Sequence, residues 1–460
     1  MRATAVLSAT VMTIVGLALF VSGAALASPT PRSESSWTVY HGNVKGSGVS
    51  RVVKTVTTSK RAWTSPLLSG ELYGEPLVYS RDVFVATEND TVYALSSSNG
   101  KVVWTRHLAT PVPSSALPCG DISPSVGVTG TPVIDPSRNE IFVVADEFIA
   151  GKPEHFLVGL STTSGATELR QRVDPRGANP AALLARSGLT LDAGRVVFGM
   201  GGNYGDCATY QGRVESVKET GSSPIIFTVD AAAGDSQGAV WMGGAAPIVD
   251  AQGNIWVSVG NGSVHSSGQA FDHSDSVLEL SQALHVKQYF APTDWAQNNA
   301  SDADMSTAPA LLANGQVVLA GKSRTVYLLN GAHLGGIGSG EATLPAACSN
   351  DIDGGPAFSG TTVYLPCVSG PVAVRVTTSP PSVKELWQSS VGGGPAIVAA
   401  GEVWTIGQNG VLYGLNPANG SVRQQASVGA LSNHFSTPSV GDSLLLVPTS
   451  NRVVAFRARA

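Results

Sequence analysis

The side chains of this chain with chemistry to offer are few, and they lie between positions 119 and 367. Asp302 and Asp304 stand two apart in NNASDADMS, and Lys322 follows in AGKSRT. Asn203 sits in GGNYGDC, Asn261 in a GNG turn, and Trp241 in QGAVWMGG. Carboxylates can act as general bases or join amide oxygens around a hard cation. A lysine can stabilise developing negative charge, and an indole can stack on a planar ligand. Most of these residues also have a plain reading. Trp241 packs between strands, Asn261 forms an N-G turn, Asp302 and Asp304 cap a turn or face solvent, and Lys322 is a surface lysine. DHSD, Asp272 to Asp275, offers two carboxylates to a cation, but a turn leading into a strand is the better reading. His107, His155, His265, His273 and His434 show no metal-ligand spacing and are read as surface or loop residues.

Other chemistries are missing from the text of the sequence. It has no Walker A, no H-E-x-x-H and no dinucleotide fingerprint between a strand and a helix. No pair of carboxylates stands out for glycoside hydrolysis. Charged residues make up 13% and the net charge is -5, so there is no basic footprint for nucleic acid.

The elements that must position these residues come from a repeated sentence. Its full form is GEPLVYSRDVFVATENDTVYALSSSNGKVVWTRHL, beginning at Gly74. A small-x-Pro opening leads to three alternating apolar runs, a Gly turn and a closing strand with a Trp. Looser copies begin near Gly130, Gly188, Ala245, Thr307, Gly354, Gly394 and Ser436. A four-stranded repeat of roughly 40 to 60 residues is the mark of a β-propeller. The chain therefore predicts an all-β, eight-bladed propeller of four-stranded antiparallel blades. KRAWTSPL near Trp63 reads as a closing strand without its blade, and the C-terminal STPSVGDSLLLVPTSNRVVAFRARA as a blade without its closing strand. Pairing the two ends closes the ring and leaves no free sheet edge. Seven blades is the alternative, because the third repeat is degenerate and the fifth lacks a clear closing strand. Long inserts, among them ADEFIAGKPEH and APTDWAQNNASDADMS, cluster in the second to fourth repeats.

Residues 1–27 read as a signal peptide, with Arg2, an apolar run from Val6 to Phe20 and an A-x-A site at Ala25-Leu26-Ala27. Residues 28–58 form a leader and N-terminal segment, and residues 59–460 a single propeller domain. The expected location is secreted, extracellular or periplasmic, with no membrane span after cleavage. An oxidising compartment allows disulfides. Four cysteines allow three pairings; Cys119 with Cys207 and Cys348 with Cys367 is favoured, the first joining two Gly/Asp-rich loops and the second flanking one strand pair.

At the fourth repeat, QGAVWMGGAAPIVDAQGNIWVSVGNGS resembles a segment of the pyrroloquinoline quinone (PQQ) dehydrogenases. APTDWAQNNASDADMSTAPALL with AGKSRTVYLLN resembles the next stretch, and VFGMGGNYGDCATYQGRVESV the Gly-rich strand before it. The YALSSSNGKVVW pattern is that family's repeat. The resemblance implies PQQ stacked on Trp241, and a Ca²⁺ ion held by Asn261 and by Asn203. It implies Asp302 as general base, with Asp304 close enough to trade roles, and Lys322 on the quinone oxygens. Asn203 stands where the family has Glu, and one negative charge is lost. The family's adjacent Cys-Cys pair is absent, Cys119 standing alone near that place. No C-x-x-C-H occurs, so no haem is expected. Two functions follow: a binding or assembly module with a modified quinoprotein-type axial pocket, or a PQQ- and calcium-dependent alcohol or sugar dehydrogenase. The departures favour the module. Its partner is a small-molecule ligand or a protein, at the propeller axis or on the loop face.

Overall fold

A computed structural model describes Met1, residues 36–229 and residues 235–460. The signal sequence and most of the leader lie outside the described residues. From residue 36 onward the chain forms eight small antiparallel sheets in a ring, an eight-bladed propeller. The innermost strands are Leu77–Tyr79, Val133–Asp135, Thr190–Asp192, Ile248–Val249, Ala310–Leu311, Ala357–Ser359, Ile397–Ala399 and Ser439–Gly441. Each begins two or three residues after one of the repeat openings. The small residue and the Pro thus mark the entry to the inner strand.

The ring closes as the two chain ends predict. Thr55–Thr64 pairs antiparallel with Val453–Arg459 and is the outermost strand of blade 8. Seven blades are excluded. The weak third repeat forms a blade all the same, through Arg195–Gly202, Arg213–Lys218 and Ile225–Thr228. In blade 5 the closing strand is only Ala342–Leu344. Beside it, Gly336–Ile337 pairs in parallel with the outer strand of blade 4. ADEFIAGKPEH is not a loop: it is the tip of a long hairpin between Glu140–Ile149 and Lys152–Ser161. Alternating apolar residues extend both strands past the usual turn.

Neighbouring blades are locked by one recurring contact. Trp63 of blade 8 lies over Gly100 of blade 1, Trp104 of blade 1 over Gly165 of blade 2, and Trp387 of blade 6 over Gly420 of blade 7. Each indole N–H donates to a turn carbonyl: Ser97, Thr162 and Pro417 respectively. A Cβ at Gly100 would stand 2.4 Å from the Trp63 ring, and its φ of +70° is left-handed. Glycine is required there twice over. Between blades 2 and 3 Leu169, on the closing strand of blade 2, takes the Trp position over Gly221.

His155 departs from its surface assignment. It is 1% exposed, inside the long hairpin. Its Nδ1 is 2.7 Å from Asp174 and its Nε2 3.5 Å from Asp146. Burial alone would lower its pKa, but the two carboxylates raise it to about 10. The unfolded value is about 6.5. The imidazolium's contribution is therefore complete below pH ~6.5 and lost as pH rises towards 10. Thermal melts across pH 6 to 10 are expected to fall steadily, and His155→Gln to be less stable at pH 6 but flatter above it.

A strap of residues 36–53 crosses one end of the axis. Trp37 exchanges both backbone hydrogen bonds with Val78 of blade 1. The carbonyls of Thr38, Val44, Ser47 and Gly48 accept from the inner strands of blades 2, 4, 6 and 7. Glu75 holds the strap through the Trp37 indole and the His41 amide, at 3.0 and 2.7 Å. The strap covers backbone edges that would otherwise line an open channel.

Candidate functional site

The opposite end of the axis gathers the residues singled out in sequence. Trp241 precedes the inner strand of blade 4, and Asp302 and Asp304 precede that of blade 5. Asn203, Asn261 and Lys322 each follow the second strand of their blade. In an antiparallel blade, the start of the first strand and the end of the second lie at the same end. Topology alone therefore brings these six to one rim.

Contacts join five of them. The Lys322 ammonium lies 2.9 Å from Asp302 and 2.8 Å from Asp304. It also stands 5.3 Å from the centre of the Trp241 ring, within cation–π range. Asp304 is buried and accepts the Asn261 amide N–H at 2.5 Å. Its carboxyl is pushed up by burial, against the opposing pull of Lys322. Asp302 differs: its side chain is 67% exposed and its φ is +55°. Asn203 stands apart from these contacts, its side-chain amide donating to the Ala181 carbonyl at 2.9 Å.

Sequence reasoning missed Asp206. It lies three residues beyond Asn203, in the turn that also carries Cys207. Its carboxylate takes the Tyr210 hydroxyl at 2.7 Å and the side chain of Asn261. Burial raises its pKa, and Asp302 adds to the rise while Lys322 opposes it. The signal was present as a carboxylate in a Gly-rich turn, but nothing local distinguishes it from a turn-former.

Phe435, His434 and Arg186 complete the rim. Phe435 meets Trp241 edge-on at 5.8 Å, and the Arg186 guanidinium lies 4.6 Å from the Phe435 ring centre. His434 Nε2 is 3.3 Å from Asp353, which is buried. Both expected disulfides are present, Cys119–Cys207 beside this rim and Cys348–Cys367 in blade 6. DHSD forms a turn: Asp272 accepts the backbone and hydroxyl of Ser274, and a strand starts at Ser276. Two cavities lie elsewhere. One of about 900 Å³ is under the strap, lined by Lys45, Val49, Leu311 and Phe358, and one of about 840 Å³ flanks blades 4 and 5.

Comparison with known proteins agrees with this architecture. A family model described as outer membrane protein assembly factor BamB matches residues 38–241. No curated protein matches in sequence. Among solved structures, quinohemoprotein alcohol dehydrogenase from Comamonas testosteroni superposes with a TM-score of 0.69 at 15% identity, over 92% of this chain and 80% of that one. The fold is a PQQ-like β-propeller. A europium-containing methanol dehydrogenase gives 0.68 at 13% identity, over 93% and 98% of the two chains. BamB from Moraxella catarrhalis gives 0.53 at 14%, over 88% and 98%. This PQQ-like propeller thus shares its fold with both dehydrogenases and an assembly factor.

The dehydrogenase resemblance implies Ca²⁺ and PQQ at this rim, and the side chains there bear on both. The oxygens of Asn261, Asp206, Asp302 and Asp304 are of the type a hard cation takes. Yet the place between Asp302 and Asp304 is filled by the Lys322 ammonium. Among the described residues, no three His, Cys, Asp or Glu are spaced to hold a metal ion. Calcium does not fit this arrangement as it is folded. Lys322, needed by a quinone's oxygens, is already engaged by both carboxylates. Two disulfides fit an oxidising compartment. Among the described residues no helix is long and apolar enough to cross a membrane.

Proposed function

We propose that this protein is an exported binding or assembly module whose axial site descends from a quinoprotein-type pocket but carries no redox chemistry. The observation that supports this most is the Lys322 ammonium, clamped by Asp302 and Asp304. That ion pair satisfies internally the charges a cofactor would have to meet. Asn203 supports the same reading, since it brings no charge and its amide serves the Ala181 carbonyl. The partner is taken at the loop end of the axis, where the long inserts lie.

The second reading, a PQQ- and calcium-dependent alcohol or sugar dehydrogenase, is favoured by the gathering of Trp241, Asn261, Asp302, Asp304 and Lys322. In it Asp302, the exposed carboxylate, takes the substrate's hydroxyl proton. A dye-linked oxidation assay, run across alcohols and sugars after incubation with PQQ and Ca²⁺, separates the two. No turnover above a heat-denatured control is expected. Turnover that Asp302→Asn abolishes would establish the dehydrogenase.

A further inference from the structure

We propose that the axial mouth docks a basic segment of a partner polypeptide, with one arginine side chain entering beside Asp351 and Asp353. This rests on the binding-module reading and names the chemistry of its partner.

The charge around the mouth is one-sided. Asp121, Asp302 and Asp351 are exposed there, Asp206 is half-buried, and Asp304 and Asp353 are buried. Lys322, Arg186 and Arg324 stand against these six carboxylates. Lys322 is held by Asp302 and Asp304. Arg186 lies over Phe435 and, at 5.7 Å, Tyr73, and Arg324 reaches the Ser349 carbonyl. The chain as a whole carries a net charge of only -5, so this end is far more acidic than its average. Such a field steers a cationic partner and sets its orientation.

A second observation points to an inserted donor. Asp353 is 3% exposed, and its Oδ1 has no hydrogen-bond partner. Its Oδ2 meets only His434. A buried carboxylate oxygen without a donor is costly, and an incoming N–H relieves that cost. Asp351 lies within electrostatic reach of Asp353 and His434. The turn after Trp241 packs directly behind: a Cβ on Gly243 would stand 2.9 Å from the Asp353 carbonyl carbon. The ring beside the Asp353 carboxylate is His434, whose Nε2 is 3.3 Å from Oδ2; Phe435 lies 3.8 Å from that ring and tilted to it, and Trp241 meets Phe435 edge-on. A buried carboxylate oxygen with a second carboxylate nearby suits the forked donors of a guanidinium better than a compact ammonium. Among the described residues the acids are not spaced for a metal ion, which also favours a wider cation that brings its own hydrogen bonds.

The test is titration of a fluorescent hexa-arginine peptide into the whole secreted protein in about 50 mM salt, where screening is weak. Saturable binding is expected. Asp351→Asn with Asp353→Asn should weaken it by about tenfold or more, since a desolvated charge pair is lost. Asp121→Asn with Asp351→Asn alters exposed acids only and should also weaken it, so a folding defect at Asp353 does not obscure the result. Asp135→Asn, at the opposite end, should change nothing. Hexa-glutamate should not bind. No saturable hexa-arginine binding, or equal affinity in the two paired variants and the parent, overturns the proposal. Displacement by micromolar free arginine would assign the site to a small cation instead of a polypeptide and overturn it too. PQQ titrated into the same sample keeps the two readings apart: PQQ binding defeats the module reading, whereas absence of both ligands defeats only the arginine site.

Discussion

Replacing Lys322 with alanine is expected to cost on the order of 3 kcal/mol at neutral pH, because it strands a buried carboxylate. Asp304 is 3% exposed, and the ammonium 2.8 Å away is its neutralising partner. Asp302, at 67% side-chain exposure, contributes little of this, since water replaces its partner. The loss should depend on pH with a definite sign. The Asp304 carboxyl already sits above its ordinary value because burial opposes its charge. Without Lys322 it rises further, so the variant is stable relative to the parent only where Asp304 is protonated. Its deficit should shrink as pH falls towards 4 and grow as pH rises above it. Chemical denaturation at pH 4 and pH 7 reads this directly. A second readout distinguishes the ion pair from mere packing. Lys322→Met, which keeps the bulk without the charge, should lose nearly as much stability at pH 7, and Lys322→Arg should restore most of it.

Trp63→Ala is expected to cost about 3 to 5 kcal/mol, the usual range for truncating a buried Trp. Trp63 is 7% exposed and sits on the strand that closes the ring. Its indole covers Gly100 of blade 1 and donates to the Ser97 carbonyl at 2.7 Å. The truncation therefore opens a cavity at the junction of blades 8 and 1 and leaves a carbonyl without its donor. Trp104→Ala is the control, because it breaks a like contact between blades 1 and 2 that chain connectivity already holds together. Trp63→Ala should be the more damaging, and it should expose Thr55–Thr64 to protease first. Equal losses and equal cleavage patterns would show that the closing strand has no special place in stability.

The fold was legible because seven of the eight inner strands start at a small-x-Pro opening, a local signal that tertiary context does not override; blade 3, entered through Gly188-Leu189-Thr190, is the exception. The disulfide pairs were legible from their loops. The hairpin tip at ADEFIAGKPEH was not, since Gly151 and Lys152 read as a loop while alternating neighbours carried the strands beyond it. His155 was misread for a related reason: its partner Asp174 lies on the next connection, nineteen residues on, and no spacing rule links them. In the site, order along the chain placed Trp241, Asn261, Asp304 and Lys322 at one rim, since strand polarity fixes that much. What sequence order does not carry is which charges meet. That Lys322 would close upon both aspartates, that Asn203 would turn to the Ala181 carbonyl, and that Asp206 would stand beside Asn261 all depend on loop paths set by the packed ring.

The central claim is that the axial site is satisfied by its own ion pair and has ceased to be a quinone site. Calorimetric titration of PQQ into the purified protein, with and without Ca²⁺, tests it most directly. The account predicts no saturable heat under either condition. Calcium-dependent, stoichiometric binding in the micromolar range or tighter would contradict it and make the protein a quinoprotein.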